Sequence, residues 1–441
     1  MANSGAKQLN IGVLGGGVMG LSAAYELAKQ GHAVTLFEQE DRLGGLAASF
    51  DWQGLRLERY YHFICLPDRH YLSLIGELGL KPQLHWRQTK MSYYYNGKHY
   101  RFGDPFSLLA FPGLSLRQKL RYGLNVLYAK FFSNWRKLEE RSAADWLKGW
   151  LGEKTYEILW RTLLELKFWH YADEISAAWI WSRIRRVANS RRALLWEFSG
   201  YLEGGTETLL SALAARIKAG RGTILTNAPV AAVKRGPGGL QVRTKDGKSR
   251  DFDRVISTIP LPAVAALETD LPAAYRQQVA GIKNIGVICL LLVLKRRLTD
   301  NFWLNVKDPR IKLPGLIEYT NLNPAAGYGG RHLLYIPLYL DVSDPLYAAP
   351  AEAIFDRYFR WLQMIVPGLE RSDVIDYQLK KSRFAQPVPV KGFSRLLPAM
   401  PTPVPGFFLA DTGHYFPEDR SVDQSILYGQ KLAALAMGGK A

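Results

Sequence analysis

Six residues, Gly15-Gly16-Gly17-Val18-Met19-Gly20, carry the spacing G-x-G-x-x-G. In that spacing Gly15 permits a tight turn out of a strand. Gly17 lets a diphosphate approach bare backbone, and Gly20 lets a helix pack closely on a sheet. A helix opened this way presents free N–H groups and a partial positive charge to phosphate. Glu38 lies 18 residues past Gly20, where an acid reaches ribose hydroxyls and disfavours a 2′-phosphate. Gln39 follows it, and Arg42 is suited to pairing with a phosphate. Gly44-Gly45 then lays a second stretch of bare backbone along a cofactor. The candidate cofactor-binding set here is Gly15, Gly17, Met19, Gly20, Glu38, Gln39, Arg42, Gly44 and Gly45.

These residues need a βαβ unit to hold them. The pattern predicts a strand over Leu9 to Leu14, a helix from about Val18 to Gln30 and a strand over Ala33 to Glu38. Gly31 is placed to end the helix in a left-handed conformation. Further on, Tyr93 to Phe102 reads as a hairpin with Asn96-Gly97 as its turn. Gly200 to Ile259 reads as a helix from Thr208 to Ala219, a strand over Thr223 to Leu225, a β-meander and a closing strand from Arg254. Ile285 to Leu294, the longest apolar run, is too short to span a bilayer as a helix and reads as a buried strand. Gly406 to Leu435 reads as a strand, a loop and a helix from Ser425 to Ala436.

The chain has 441 residues, too many for one simple core, so two domains are expected. Its 48% hydrophobic and 22% charged content fits a globular protein. Twelve Trp, 23 Tyr and 19 Phe suit a cavity for a flat or greasy ligand. Cys65 and Cys289 make no disulfide framework, and no metal-ligand spacing stands beside them. The formal charge of +18 allows nucleic acid, anionic membrane or acidic substrates. No zinc spacing, RNA-binding signature or long basic run supports nucleic acid. The cations instead interleave with aromatic and aliphatic residues, over Leu114 to Lys137 and again over Trp179 to Arg192. Such helical surfaces suit an anionic membrane face. The N-terminus has no apolar signal core, so the expected place is the cytoplasm, peripheral on the inner face of the membrane.

The motif Glu38-Gln39-Glu40-Asp41-Arg42-Leu43-Gly44-Gly45 resembles that of the flavin amine oxidase superfamily. That superfamily includes protoporphyrinogen oxidases and phytoene-type desaturases, with UDP-galactopyranose mutase more distant. There the motif is Glu-x-x-x-Arg-x-Gly-Gly, often followed by Arg. Leu46 stands in that last place here, which leans away from amine oxidases proper and toward the desaturase-like branches. Gly204-Gly205 is similar to the family's second glycine pair. The resemblance implies that Val230 holds adenine through its backbone and that Asp411 meets the ribityl chain. It also implies that the helix start at Val422 and Asp423 faces the isoalloxazine carbonyl. The cofactor it implies is FAD, with no metal. The implied fold is α/β: a Rossmann-type, glutathione-reductase-like FAD-binding domain interleaved with an α+β substrate domain and a helical insertion. Its FAD-binding parts are residues 1–66, 200–262 and 401–441. The helical insertion is 67–199 and the second substrate part is 263–400.

For the reaction, His62 in Arg59-Tyr60-Tyr61-His62-Phe63 sits where related desaturases and mutases bring a His segment near the flavin. A packed histidine is the plainer reading. Lys167 lies in Leu163-Leu164-Glu165-Leu166-Lys167-Phe168, similar to a desaturase segment, and its plainer reading is a surface lysine. No second G-x-G-x-x-G is present, so oxygen, a quinone or another acceptor would take the electrons, or the flavin would cycle internally. The expected function is an FAD-dependent oxidoreductase, desaturase- or oxidase-like, acting on a hydrophobic, membrane-borne organic substrate. The alternatives are a UDP-sugar mutase-like isomerase, for which no convincing arginine pair shows, a protoporphyrinogen oxidase proper, and a non-catalytic nucleotide-binding subunit.

Overall fold

The computed structural model describes residues 8–192 and 196–439. The readings made for Met1–Lys7 and for Lys440-Ala441 lie outside the described residues, as do the side chains of Arg191 and Arg192.

Five parallel strands form one sheet, in the order Thr223–Leu225, Ala33–Phe37, Asn10–Leu14, Arg254–Ser257 and Phe407–Leu409. Parallel strands covered on both faces read as near-continuous apolar runs. Ile11, Val13, Val34, Leu36, Val255 and Ile256 are accordingly all buried. The Val18–Lys29 helix connects Asn10–Leu14 to its sheet neighbour Ala33–Phe37, and Gly31 beyond it has φ +87°. The Val422–Ala436 helix lies against it. A Cβ on Gly429 would come within 2.5 Å of the Met19 carbonyl oxygen, so only glycine permits that approach.

A second sheet of seven strands is built around Asn284–Leu294. This strand pairs antiparallel with His332–Leu340 on one side and Val374–Pro387 on the other. Its apolar run is unbroken because both faces are covered. Ile288, Leu290, Leu292 and Leu294 pack toward the Ala351–Ile365 helix. Cys289, Leu291 and Val293 pack toward Trp52, Tyr319 and Tyr335. The hairpin Met91–Tyr95 and Lys98–Arg101 joins the far edge of this sheet through a parallel pairing with Trp303–Lys307. Asn96 and Gly97 at its tip both have positive φ, as a primed turn requires.

Two expectations are corrected. The C-terminal helix begins at Val422, three residues before the expected Ser425, because the Ser421 hydroxyl caps it by accepting from the Gln424 N–H at 3.1 Å. Ala385-Gln386-Pro387 is the end of the long Val374–Pro387 strand. The stretch Trp179 to Arg192 is no continuous basic surface. Its helix, Ala177–Asn189, buries Trp179 and Trp181 completely. Arg183 and Arg186 turn inward to Asp419 and Asp68. Arg191-Arg192 leaves the helix and pairs as a strand with Trp196-Glu197.

Leu290→Ala empties a fully buried position in the central strand of the larger sheet and is expected to cost about 2–5 kcal/mol. Chemical denaturation should show the loss as a lower midpoint at unchanged slope.

Candidate functional site

The glycine turn closes as its spacing requires. Gly15 has φ +100°, and its N–H donates to the Phe37 carbonyl at 2.8 Å. A Cβ on Gly20 would stand 1.9 Å from the Gly15 carbonyl oxygen, an impossible contact. Gly17 is different: a Cβ there would meet nothing nearer than the Gly44 carbonyl oxygen at 4.0 Å. It faces open space, and no side chain caps the helix start behind it. The two glycine segments touch. The Gly44 N–H donates to the Gly16 carbonyl at 2.8 Å, and Gly17 and Gly44 form an isolated parallel bridge. Gly44 and Gly45 take φ +115° and +57°, a region costly to other residues. The result is a groove floored by bare backbone from both segments. Met19, in the first turn, is buried.

Glu38 closes one end of the groove. Its carboxylate accepts from the Gly16 N–H at 2.7 Å and the Glu40 N–H at 2.9 Å. Burial raises its pKa, against those hydrogen bonds. Each oxygen keeps a free lone pair for a hydroxyl. The Glu38 carbonyl takes the Ala228 N–H at 2.8 Å, which brings the segment leading to Val230 beside it. Gln39 is exposed. Arg42 pairs with Asp51, which also holds Arg56 at 2.7 Å. Asp411 is buried, and its carboxylate accepts from the N–H groups of Gly413 and Leu261 at 2.8 and 2.9 Å. Asp423 accepts from the N–H groups of His70 and Tyr71 at 2.8 and 3.0 Å, tying its helix to Arg69–Glu77. Val422 beside it is buried.

A second cluster lies where the two sheets meet. Lys167 is buried, not a surface lysine. Its Nζ donates to Asp419 at 3.2 Å, and Arg183 donates to the same oxygen at 2.9 Å. Arg420 donates to the Ala385 carbonyl and the Tyr339 hydroxyl. Burial, with help from Arg183 and Arg420 and against Asp419, pushes the Lys167 pKa down to about 7. Burial alone would raise Asp419; the three cations outweigh it and hold that carboxyl well below its usual range. Three cations thus face one carboxylate, an excess that a dry interior does not tolerate without an anion or loss of a proton.

His62 sits on the edge of this cluster. Its Nδ1 is 3.9 Å from the Glu58 carboxylate, and burial lowers its pKa, with Glu58 opposing and Arg420 adding. The Glu58 carboxylate itself accepts from the Thr206 N–H at 2.8 Å, after the Gly204-Gly205 pair. His62 Nδ1 and Gln386 Oε1 are buried and lack a hydrogen-bond partner among the described residues. Orphaned buried polar atoms call for a ligand or water. Tyr339 leads from the cluster to a cleft of about 280 Å³ of mixed lining, with Leu166, Trp169, Leu338, Leu346 and Trp361 beside the charged Glu165, Lys312, Asp344 and Arg357.

Residues 19–434 match the model of the flavin containing amine oxidoreductases. The chain belongs to this family. It is therefore a flavin-dependent oxidoreductase. It is 25% identical over 319 residues to a 15-cis-phytoene desaturase of Synechococcus elongatus, covering 66% of this chain and 67% of that one. It is 27% identical over 282 residues to a putative flavin-containing monoamine oxidase of Mycobacterium tuberculosis, covering 61% of each. In fold it is similar to a putative protoporphyrinogen oxidase from Exiguobacterium, with a TM-score of 0.75 at 18% identity, over 98% of this chain and 100% of the other. Solved relatives of this fold carry a Rossmann-type cofactor domain.

The open groove at Gly17 and the spare acceptors of Glu38 fit a flavin dinucleotide. Sequence reasoning singled out Lys167 and His62 but missed their partners Asp419, Arg183, Arg420 and Tyr339 as a set. One signal was available. Trp179, Arg183 and Arg186 fall at i, i+4 and i+7, on one helix face, and a face that carries a large aromatic is a buried one.

Two alanine variants separate packing from binding. Gly17, at φ −69° with room in front, should accept alanine with the fold intact, yet lose flavin affinity about tenfold or more. Gly20→Ala should lower stability itself. Flavin absorbance and thermal melting, read on both proteins, check the contrast.

Proposed function

We propose that the protein binds FAD non-covalently along the Gly15 to Gly20 and Gly44-Gly45 groove and dehydrogenates a hydrophobic organic substrate. The observation that carries this is the position of Lys167: a buried amine of lowered pKa, 5.1 Å above the ring of Tyr339, which lines a cleft together with leucines and tryptophans. In this reading Glu38 takes the ribose hydroxyls, and the helix start at Gly17 faces the diphosphate. Arg42 exchanges Asp51 for a phosphate oxygen. Gln39 and Val230 flank the adenosine half, and Asp411 meets the ribityl chain. Val422 and Asp423 place their helix start toward the ring.

When bound, a flavin supplies the acceptor for a hydride equivalent. The chain's own residues do the rest. Removing two hydrogens from adjacent atoms releases the second as a proton, and Lys167 Nζ, largely neutral above pH 7, takes it. Asp419 stays ionised and orients that amine. Arg183 and Arg420 keep its affinity for the proton low enough to release it again. His62, held neutral by burial, presents Nδ1 as an unclaimed hydrogen-bonding atom. The leucines and tryptophans of the cleft offer contact to an apolar body, and the charged Glu165, Lys312, Asp344 and Arg357 line the rest of it. A substrate of this kind resides in a lipid bilayer in preference to water.

One observation favours a second reading. Arg183 and Arg420, absent as a pair from any sequence pattern, converge on Asp419 with Lys167. That basic pocket would also suit a nucleotide diphosphate sugar and an isomerase in which the flavin cycles without net oxidation. Anaerobic visible absorbance against lipids, carotenoid precursors, porphyrinogens, amines and sugar nucleotides decides between them. Bleaching by an apolar compound supports dehydrogenation. Turnover of a sugar nucleotide only after chemical reduction supports isomerisation.

With a reducing substrate in hand, kcat/KM should rise with pH through about 7 as Lys167 loses its proton. Lys167→Met should abolish that limb and lower the flavin reduction rate by about 10²–10⁴-fold, the usual share of a general base. A limb that survives the substitution removes Lys167 from this role.

A further inference from the structure

Among the described residues ten large apolar side chains are exposed, and seven of them fall between residues 106 and 131. Phe106 and Leu109 belong to the Pro105–Ala110 helix. Leu116, Leu120, Leu124, Leu127 and Phe131 belong to the Leu116–Phe131 helix. At about 100° per residue those five lie within an arc of about 80°. They form one ridge about 24 Å long, from about 1.5 Å per residue. Phe131 at its end is 77% exposed and Phe106 at the other side 70%.

The ridge is mounted rigidly. Both helices begin with reciprocal caps, Asp104 with Ser107 and Ser115 with Gln118. Lys119 Nζ donates to the Leu109 carbonyl at 2.5 Å and joins the two helices. Arg121 donates to the carbonyls of Gly149 and Trp150. On the opposite side Ala129 and Asn125 are buried, and Tyr128 stacks on Phe132 and packs against Trp150. The exposed row is therefore held outward by the fold.

Its charge is one-sided. Residues 105–138 contain no Asp or Glu, but hold Arg117, Lys119, Arg121, Lys130, Arg136 and Lys137. On the helical wheel Lys119 and Lys130 flank the leucine row on one side, Arg117 and Arg121 on the other. We infer that this ridge docks the protein on the anionic face of a lipid bilayer, with the leucines and phenylalanines below the headgroups and the cations among them. An interfacial helix with a cationic margin does this without crossing the membrane. No helix among the described residues is long and apolar enough to cross. A second copy is a poor occupant, since a twofold contact through the ridge would set these cationic margins against one another. The inference rests on the proposed apolar substrate only for its purpose. Vesicle binding is measured without turnover, so either can fail alone.

The test is co-sedimentation of the holoprotein with vesicles of phosphatidylcholine containing phosphatidylglycerol, and with vesicles of phosphatidylcholine alone. The expected result is pelleting with the anionic vesicles, weaker pelleting with the neutral ones, and release by salt. Leu120→Asp with Leu124→Asp should lower partitioning at least about tenfold while flavin absorbance is retained. Arg117→Glu with Lys130→Glu, which leaves the apolar row intact, should remove the preference for anionic vesicles, by about fivefold or more per charge. Equal binding by wild type and the double aspartate variant overturns the inference. So does wild-type protein that binds neither vesicle, or a dimer that the aspartates split while vesicle binding is absent.

Discussion

The first amide groups of the Val18–Lys29 helix find no side-chain cap, and the ground in front of them is glycine. Backbone donators left this way need a partner from outside the helix. Much of the remaining architecture serves to keep that patch open and fixed. Gly20 lets the helix sit close on the turn, Gly44 crosses under Gly17, and Gly429 lets the C-terminal helix press on the other side. Each contact depends on a missing side chain, so the groove is specified by steric necessity more than by attraction.

The cluster around Lys167 obeys a different constraint. Lys167 and Arg183 come from neighbouring helices, Asp419-Arg420 from more than two hundred residues later, and they meet Tyr339 of the larger sheet. Putting like charges together in a dry place is unfavourable unless one of them gives up its charge. Lys167 is the group that can, because guanidinium groups hold their protons. The same crowding therefore leaves an amine that holds its proton loosely near neutral pH.

Local rules carried much of the fold. Thr223–Leu225 stands where alternation and flanking glycines put it, and the Asn96-Gly97 turn closes its hairpin. The family followed from a motif of eight residues. What stayed hidden was long-range. Nothing near Lys167 reveals Asp419, 252 residues away. The basic stretch from Trp179 was misjudged as a surface because interleaved cations and aromatics look alike whether they face lipid or each other. The helix from Leu116 carries the same composition with its apolar row turned outward. Only packing against neighbours separates the two.

The order of strands in the parallel sheet has a consequence for biosynthesis. Asn10–Leu14 is central, yet the edge strand Phe407–Leu409 and the helix that covers Val18–Lys29 are translated roughly four hundred residues later. Until then the small-residue face of the early helix has no cover. The eleven-residue apolar strand Asn284–Leu294 likewise waits for Val374–Pro387 before its second edge is paired. A ribosome-bound nascent chain holds both exposed until these last segments emerge.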